Sequence, residues 1–345
     1  MSDTSYRSPD GRSQEGRHGP DVGAGPDVDV AQERPHPAVG AVAGSAGDLA
    51  ARHLHGEIDP DPDATPSRAG AWARLRRHRP AVVAAGFLAV LALAVIVVPL
   101  LLGDDRARID PAVRDQAPSW SYPMGTDELG RDQLLRILEG GQLTLSVAAS
   151  AVAASMVVGV LAGLVAGYVG GFVGSTIMRV ADVFYSLPGL FVVILLVTLL
   201  GAGFWTVVIA IGIFGWMSTA RLVRASTLSI KERDYITAAR AGGIGELRIA
   251  VRHVLPNTAG PVIVTATLGV AIAIIVESTL SFLGLGFSPP RATWGGMLEK
   301  AQTAVLIDGH WWLGLFPGLM ILSTVLAVST IGDALDDTLG EGVRT

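Results

Sequence analysis

The chain has 345 residues, half of them apolar, a formal charge of −5 and only 17% charged side chains, a balance that excludes an ordinary water-soluble globule. An acidic net charge without a compact basic, aromatic-interleaved surface argues against nucleic acid as a partner. Cysteine is absent, so disulfides, thiolate metal sites and cysteine nucleophiles are excluded.

Residues 1–70 are dominated by Gly, Pro, Asp, Ser, Arg and Ala. They hold too few large apolar side chains to offset the entropy of ordering, and they read as a disordered cytoplasmic tail. His18, His36, His53 and His55 fall in this tail, where their spacing is incidental rather than ligand-forming. No apolar segment of the signal-peptide kind follows the first residues; the first one begins about eighty residues in.

A basic collar of Arg68, Arg74, Arg76, Arg77 and Arg79 precedes the run Ala81 to Leu102, and 71–102 is predicted as collar plus first transmembrane helix. No charge occurs from Gly140 to Met178 or from Val183 to Ala220. Each stretch exceeds one crossing at about 1.5 Å per helical residue. Breaks at Tyr168 to Gly171 and Gly201 to Gly203 divide the region into spans near 142–167, 174–200 and 204–222, and further spans lie near 258–282 and 313–334. The prediction is an all-α integral membrane protein with six transmembrane helices: an external loop over 103–140, a five-helix core over 141–336 and a cytoplasmic C-terminus over 337–345.

Arginine placement orients the chain. The collar and the cluster Arg221, Arg224, Lys231, Arg233, Arg240, Arg248 and Arg252 should both be cytoplasmic. Six crossings put both termini inside and the loop 223–257 on the same face, so 103–140 and 284–312 lie outside. Gly159, Gly163 and Gly167 recur at four-residue intervals in the second span, a stripe that suits either packing within the chain or a partner subunit.

The loop 223–257 is too charged to cross and too patterned to be a linker. Ser229 and Glu232 form a capping box that predicts a helix from about Ile230 to Gly242 and Gly243. Tyr235, Ala238, Ala239 and Gly242 share one face of it. A second helix follows, with an apolar stripe of Leu247, Ala250, Val251 and Val254, closed by Pro256 before the next span. Pattern alone leaves open an amphipathic hairpin resting on lipid.

This stretch resembles the cytoplasmic coupling loop of ABC importer permeases, whose pattern is Glu-Ala-Ala, three residues, Gly, nine residues, then Ile-x-Leu-Pro. Ala238, Ala239, Gly243, Leu255 and Pro256 match it, while Thr237 stands in place of Glu and His253 in place of Ile. The segments "MGTDELGRD" from 124, "ARLVRASTLSIKERDYITAARAGG" from 220, "RHVLPN" from 252, "ESTLSFLGLG" from 277, "TWGGML" from 293 and "LFPGLMI" from 315 look like the C-type permease subunit of dipeptide and oligopeptide (peptide/nickel) importers.

The resemblance implies a type I ABC importer permease (MetI-like) fold in the bacterial cytoplasmic (inner) membrane. It implies as partners a homologous B-type permease subunit, two ABC ATP-binding subunits, an extracellular substrate-binding protein and the lipid bilayer. ATP and Mg would sit on the ATPase partners and no cofactor on this chain, which has no G-x-x-x-x-G-K-[ST] phosphate loop. The coupling-loop set is Tyr235, Thr237, Ala238, Ala239, Gly242, Gly243, Ile244, Gly245, Glu246, Leu255 and Pro256, with the turn at Gly242 to Glu246 seated in an ATPase cleft. Thr237 offers only a neutral hydrogen bond where the family's carboxylate offers a charge-assisted one. Cargo is expected to be a dipeptide or oligopeptide, with nickel or another chelated metal, glutathione and haem as alternatives.

Ionisable groups at membrane depth default to a functional role. Arg179 and Asp182 are expected to form a structural ion pair about one helical turn apart. Glu277, toward the outer end of the fifth span, is expected to be a pathway, gate or helix-packing residue. No catalytic residue and no metal site are expected: an intramembrane hydrolase would need a nucleophile with its base, or H-E-x-x-H, and neither motif is present. Hydropathy alone leaves a non-ABC channel or scaffold open.

Overall fold

The computed structural model describes residues 76–106 and 109–340, all within one compact unit, 64–345. The tail expected over 1–70, Arg68 and Arg74 of the collar, and residues 341–345 lie outside the described residues. Among those described, the regular structure is helical, the only β pairing being the isolated bridge between Thr126 and Asp132.

Helix α1 (Arg79–Arg106) is the first span. The following segment folds back through one 3-10 turn (Pro111–Val113). Helix α2 (Gln133–Tyr168) then starts about nine residues before the expected span, because Asp132 accepts from the Leu134 amide at 2.9 Å and caps it. The break after Tyr168 falls where it was expected, and Gly170 and Gly171 both carry positive φ there.

The third expected span, 174–200, is instead two helices, α3 (Gly171–Tyr185) and α4 (Gly189–Leu200), bent by 82°. Pro188 explains the break, since the residue before a proline is pushed out of the helical region and proline itself has no amide to give to the ladder. Helix α5 (Phe204–Lys231) is longer than expected and carries the chain beyond the apolar zone. Two short helices follow, α6 (Asp234–Ala241) and α7 (Glu246–Ile249), then a π-helical turn (Ala250–Val254) leading into α8 (Leu255–Phe282). Helix α9 (Trp294–Leu306), unforeseen in the sequence reading, lies in the segment expected as external loop, and α10 (Trp311–Gly340) is the last span. Among the described residues five helices are long and apolar enough to cross a membrane, six if the bent pair counts as one.

The most extensive pairing is α2 against α5, and the small-residue stripe produces it. A Cβ at Gly159 would lie 2.7 Å from the Trp216 carbonyl oxygen, one at Gly163 would lie 2.5 Å from that of Ala220, and one at Gly167 would lie 2.7 Å from Thr227 Cβ. The stripe is therefore used for packing within the chain. A second core joins α1, α2 and α9 around Leu91, Val95, Ile137, Leu138 and Trp294. The Trp294 ring is fully buried and its indole N–H donates to the Ile137 carbonyl at 2.8 Å, fastening α9 to the bundle.

Candidate coupling hairpin and cavities

The charged loop is a helical hairpin with one wet side and one dry side. The expected capping box is not formed: Ser229 and Ile230 are interior to α5, and α6 begins at Asp234 after Arg233, which makes no side-chain cap. Tertiary contact overrides the local signal. Ile230 is buried, and the next residue, Lys231, reaches across to donate to the Tyr168 carbonyl at 2.7 Å, placing a cation on the C-terminus of α2.

Helix α6 ends as expected at Gly242 and Gly243. The Gly243 amide donates to the Arg240 carbonyl at 2.9 Å and the Ile244 amide to that of Ala239 at 3.1 Å, the paired bonds of a Schellman cap. Gly243 sits in the left-handed region at φ +79°. Ala239 and Ile244 pack together against Ile230, Ile236, Ile249 and Val254, with Leu164 and Tyr168 of α2 closing the cluster. Ile236 and Ile249, the fully buried anchors, were missed in sequence, where short polar helices give weak periodicity.

The expected stripe of Leu247, Ala250, Val251 and Val254 splits. Ala250 and Val254 are buried, but Leu247 is 79% and Val251 53% exposed, because Ile249 takes the inward position. The exposed side carries Tyr235, Thr237, Ala238, Gly242, Gly245 and Glu246 as well. Pro256 does not close the segment. The helix runs on from Glu246 to Phe282, and the π turn lies where the ladder loses the proline donor; Leu255 is partly buried in it.

One polar clamp holds the hairpin to the membrane helices. The Tyr168 hydroxyl, at the end of α2, donates to Glu246 Oε2, and Arg240 Nε donates to Glu246 Oε1 at 2.9 Å. Glu246 thereby joins α6, α7 and α2.

The expected pair between Arg179 and Asp182 is replaced. Asp182 accepts from Arg221 on α5 at 2.5 Å, and the same guanidinium lies 4.2 Å from the centre of the Tyr185 ring. A partner on the packed neighbour α5 is met without bending α3. Glu277 is fully enclosed by its own chain. Ser281 donates to its Oε1 at 2.7 Å, and Thr144 and Thr293 face it. Its hydroxyl partners Ser281 and Thr293 both line a cavity of about 210 Å³ between the end of α8 and α9.

A larger cavity, about 510 Å³, opens between α2, α4, α5 and α8, mainly apolar and lined in part by Val152, Met156, Leu190, Phe214 and Leu268. The segment 124–132 forms a turn that leads into α2. Asp127 Oδ1 accepts from the Leu129 and Arg131 amides at 2.9 Å each, and its Oδ2 pairs with Arg131. Among the described residues no group of three or more His, Asp or Glu could hold a metal ion.

Residues 159–345 match the family described as binding-protein-dependent transport system inner membrane component, and residues 68–118 match the N-terminal TM domain of oligopeptide transport permease C. The chain is 39% identical to a dipeptide transport system permease protein of Bacillus subtilis over 79% of this chain and 85% of that one. It is 40% identical to a glutathione transport system permease protein of Salmonella typhimurium over 85% of this chain and 96% of that one. A hairpin clamped to a bundle of spans, family matches over 68–118 and 159–345, and relatives matched over most of both chains lead to one conclusion: the chain belongs to the binding-protein-dependent inner membrane component family and is a multi-pass permease subunit of an ABC importer.

Proposed function

We propose that this chain forms half of a translocation pathway for dipeptides or oligopeptides across the bacterial inner membrane, with both termini cytoplasmic. A B-type permease supplies the other half, two ATP-binding subunits sit beneath, and an external binding protein delivers cargo. ATP and Mg are handled by those subunits and not by this chain. The names of the two relatives, one a dipeptide and one a glutathione permease, support a peptide cargo. The apolar cavity of about 510 Å³ between α2, α4, α5 and α8 is the part of the path this subunit contributes.

The observation that carries the reading is the hairpin. Its inner side is anchored by Ile236, Ile249 and Val254 and clamped through Glu246 to α2, while Leu247, Val251 and Tyr235 stand exposed. An apolar, stiffly mounted cytoplasmic surface suits a partner that moves it, and displacement at the turn passes directly into α8, which continues the same helix. Because the natural chain has no cysteine, Gly245→Cys introduces a single thiol at the tip. A thiol cross-linker is expected to join it to an ATPase subunit, with a yield that changes between the ATP-bound and nucleotide-free states. Capture of lipid alone would overturn the coupling assignment in favour of a surface-lying hairpin.

A further inference from the structure

The cavity between the end of α8 and α9 contains an arginine that the fold neutralises only in part, through an Asp127 carboxylate it shares with Arg131. Arg136, on the first turn of α2, is 7% exposed, and a buried guanidinium demands hydrogen-bond acceptors. Its nearest carboxylate oxygen, Asp127 Oδ2, is 3.7 Å away, beyond hydrogen-bonding distance. That oxygen is already held by Arg131 at 2.7 and 2.8 Å. Glu128 and Glu139 act on Arg136 only through space.

Arg136 forms part of the wall of the cavity of about 210 Å³, room for several waters or for the end of a short peptide. Arg291 and Lys300 stand at the same cavity with one carboxylate, Glu299, so its lining carries a net charge of about +2. The hydroxyls of Ser281, Ser288 and Thr293 complete its polar lining.

We propose that this cavity is a carboxylate subsite that takes the free α-carboxylate of an incoming peptide on Arg136 before the peptide enters the bundle. The planar guanidinium matches a carboxylate through two parallel hydrogen bonds. Glu299 disfavours a dianion such as phosphate and offers a partner to a cargo ammonium group. Ser281 and Thr293 belong both to this cavity and to the shell of Glu277, so occupancy is passed to α8 through two hydroxyls. The proposal rests on the peptide-import reading and on the outward placement of α9.

The test uses the assembled importer in nanodiscs without binding protein or nucleotide, read by ligand saturation-transfer NMR with dialanine, dialanine amide and acetate. Dialanine and acetate should receive saturation, and the amide at least five-fold less. Arg136→Gln should lower both signals at least five-fold, and Arg136→Lys should restore part of them. Should Arg136→Gln fail to assemble, Arg291→Gln combined with Lys300→Gln, both on the exposed rim, is expected to lower the signals at least two-fold. Equal signals from acid and amide, or full signals in the folded variants, would overturn the subsite. Vesicle uptake separates the two readings. Arg136-dependent acetate binding without dialanine uptake would sink the peptide cargo and leave the anion site standing, while uptake without saturation would do the reverse.

Discussion

Gly163 and Gly243 are both required, for different physical reasons. At Gly163 the obstacle is space: a Cβ would meet the Ala220 carbonyl oxygen at 2.5 Å and Val223 Cβ at 2.8 Å, and backbone cannot rotate away. Gly163→Val should push α2 from α5 and cost about 3 kcal/mol or more, seen as a lower melting temperature of the purified chain in detergent. At Gly243 there is open space but φ is +79°, so Gly243→Ala costs only about 1–2 kcal/mol of backbone strain. Its effect should fall on coupling: substrate-stimulated ATPase activity drops several-fold while membrane insertion is unchanged. Gly243→Asp, with a charge added at the same turn, should abolish stimulation. Unaltered stimulation in both would show that the turn is not the transmitting element.

At the scale of elements, the hairpin and the bent pair each depend on a polar link to a neighbouring helix. Tyr168→Phe removes the hydroxyl that reaches Glu246 without altering the apolar cluster. It should uncouple ATP hydrolysis from transport, leaving basal ATPase activity near the wild-type level and lowering cargo uptake per ATP about two-fold or more; equal stoichiometry would reduce the clamp to a packing contact. The Asp182 to Arg221 pair is half exposed on both sides, and exposed pairs contribute about 0–1 kcal/mol. A double-mutant cycle with Asp182→Asn and Arg221→Gln should show a small coupling energy, and the same cycle with Arg179→Gln should show none. That contrast distinguishes the observed partner from the one suggested by spacing of three residues, which places both side chains on one helix but says nothing of what packs beside it.

At the scale of the whole molecule, two cores at opposite ends of the bundle are joined by α2. At one end it carries the hairpin through Leu164 and Tyr168, and at the other it carries α9 through Ile137. Trp294→Ala would empty the core around α9 and remove the indole bond to the Ile137 carbonyl, a loss of about 3–5 kcal/mol. Hydrogen exchange should then rise across α9 and the start of α2, with α6 and α7 unaffected, because the two clusters share no side chain. Uniform exposure across the chain would mean that the bundle unfolds as one unit.

The order of the spans, the breaks at 168–171 and 201–203, the hairpin with its glycine stop and the permease family were all legible in the sequence, because bilayer thickness, glycine conformation and charge exclusion act on residues close in the chain. What the sequence left open was partner choice. Whether the glycine stripe faced α5 or another subunit, which arginine met Asp182, which face of α7 turned inward, and that Glu277 lay closed off behind Ser281 were decided by contacts between residues far apart in the chain. Local propensity lost to such contacts at Ser229 and Glu232, where Lys231 carries α5 past its expected end to reach Tyr168. The helix α9 escaped notice for the same reason: its signal is one buried tryptophan whose partners, Val95 and Ile137, lie more than 150 residues earlier in the chain.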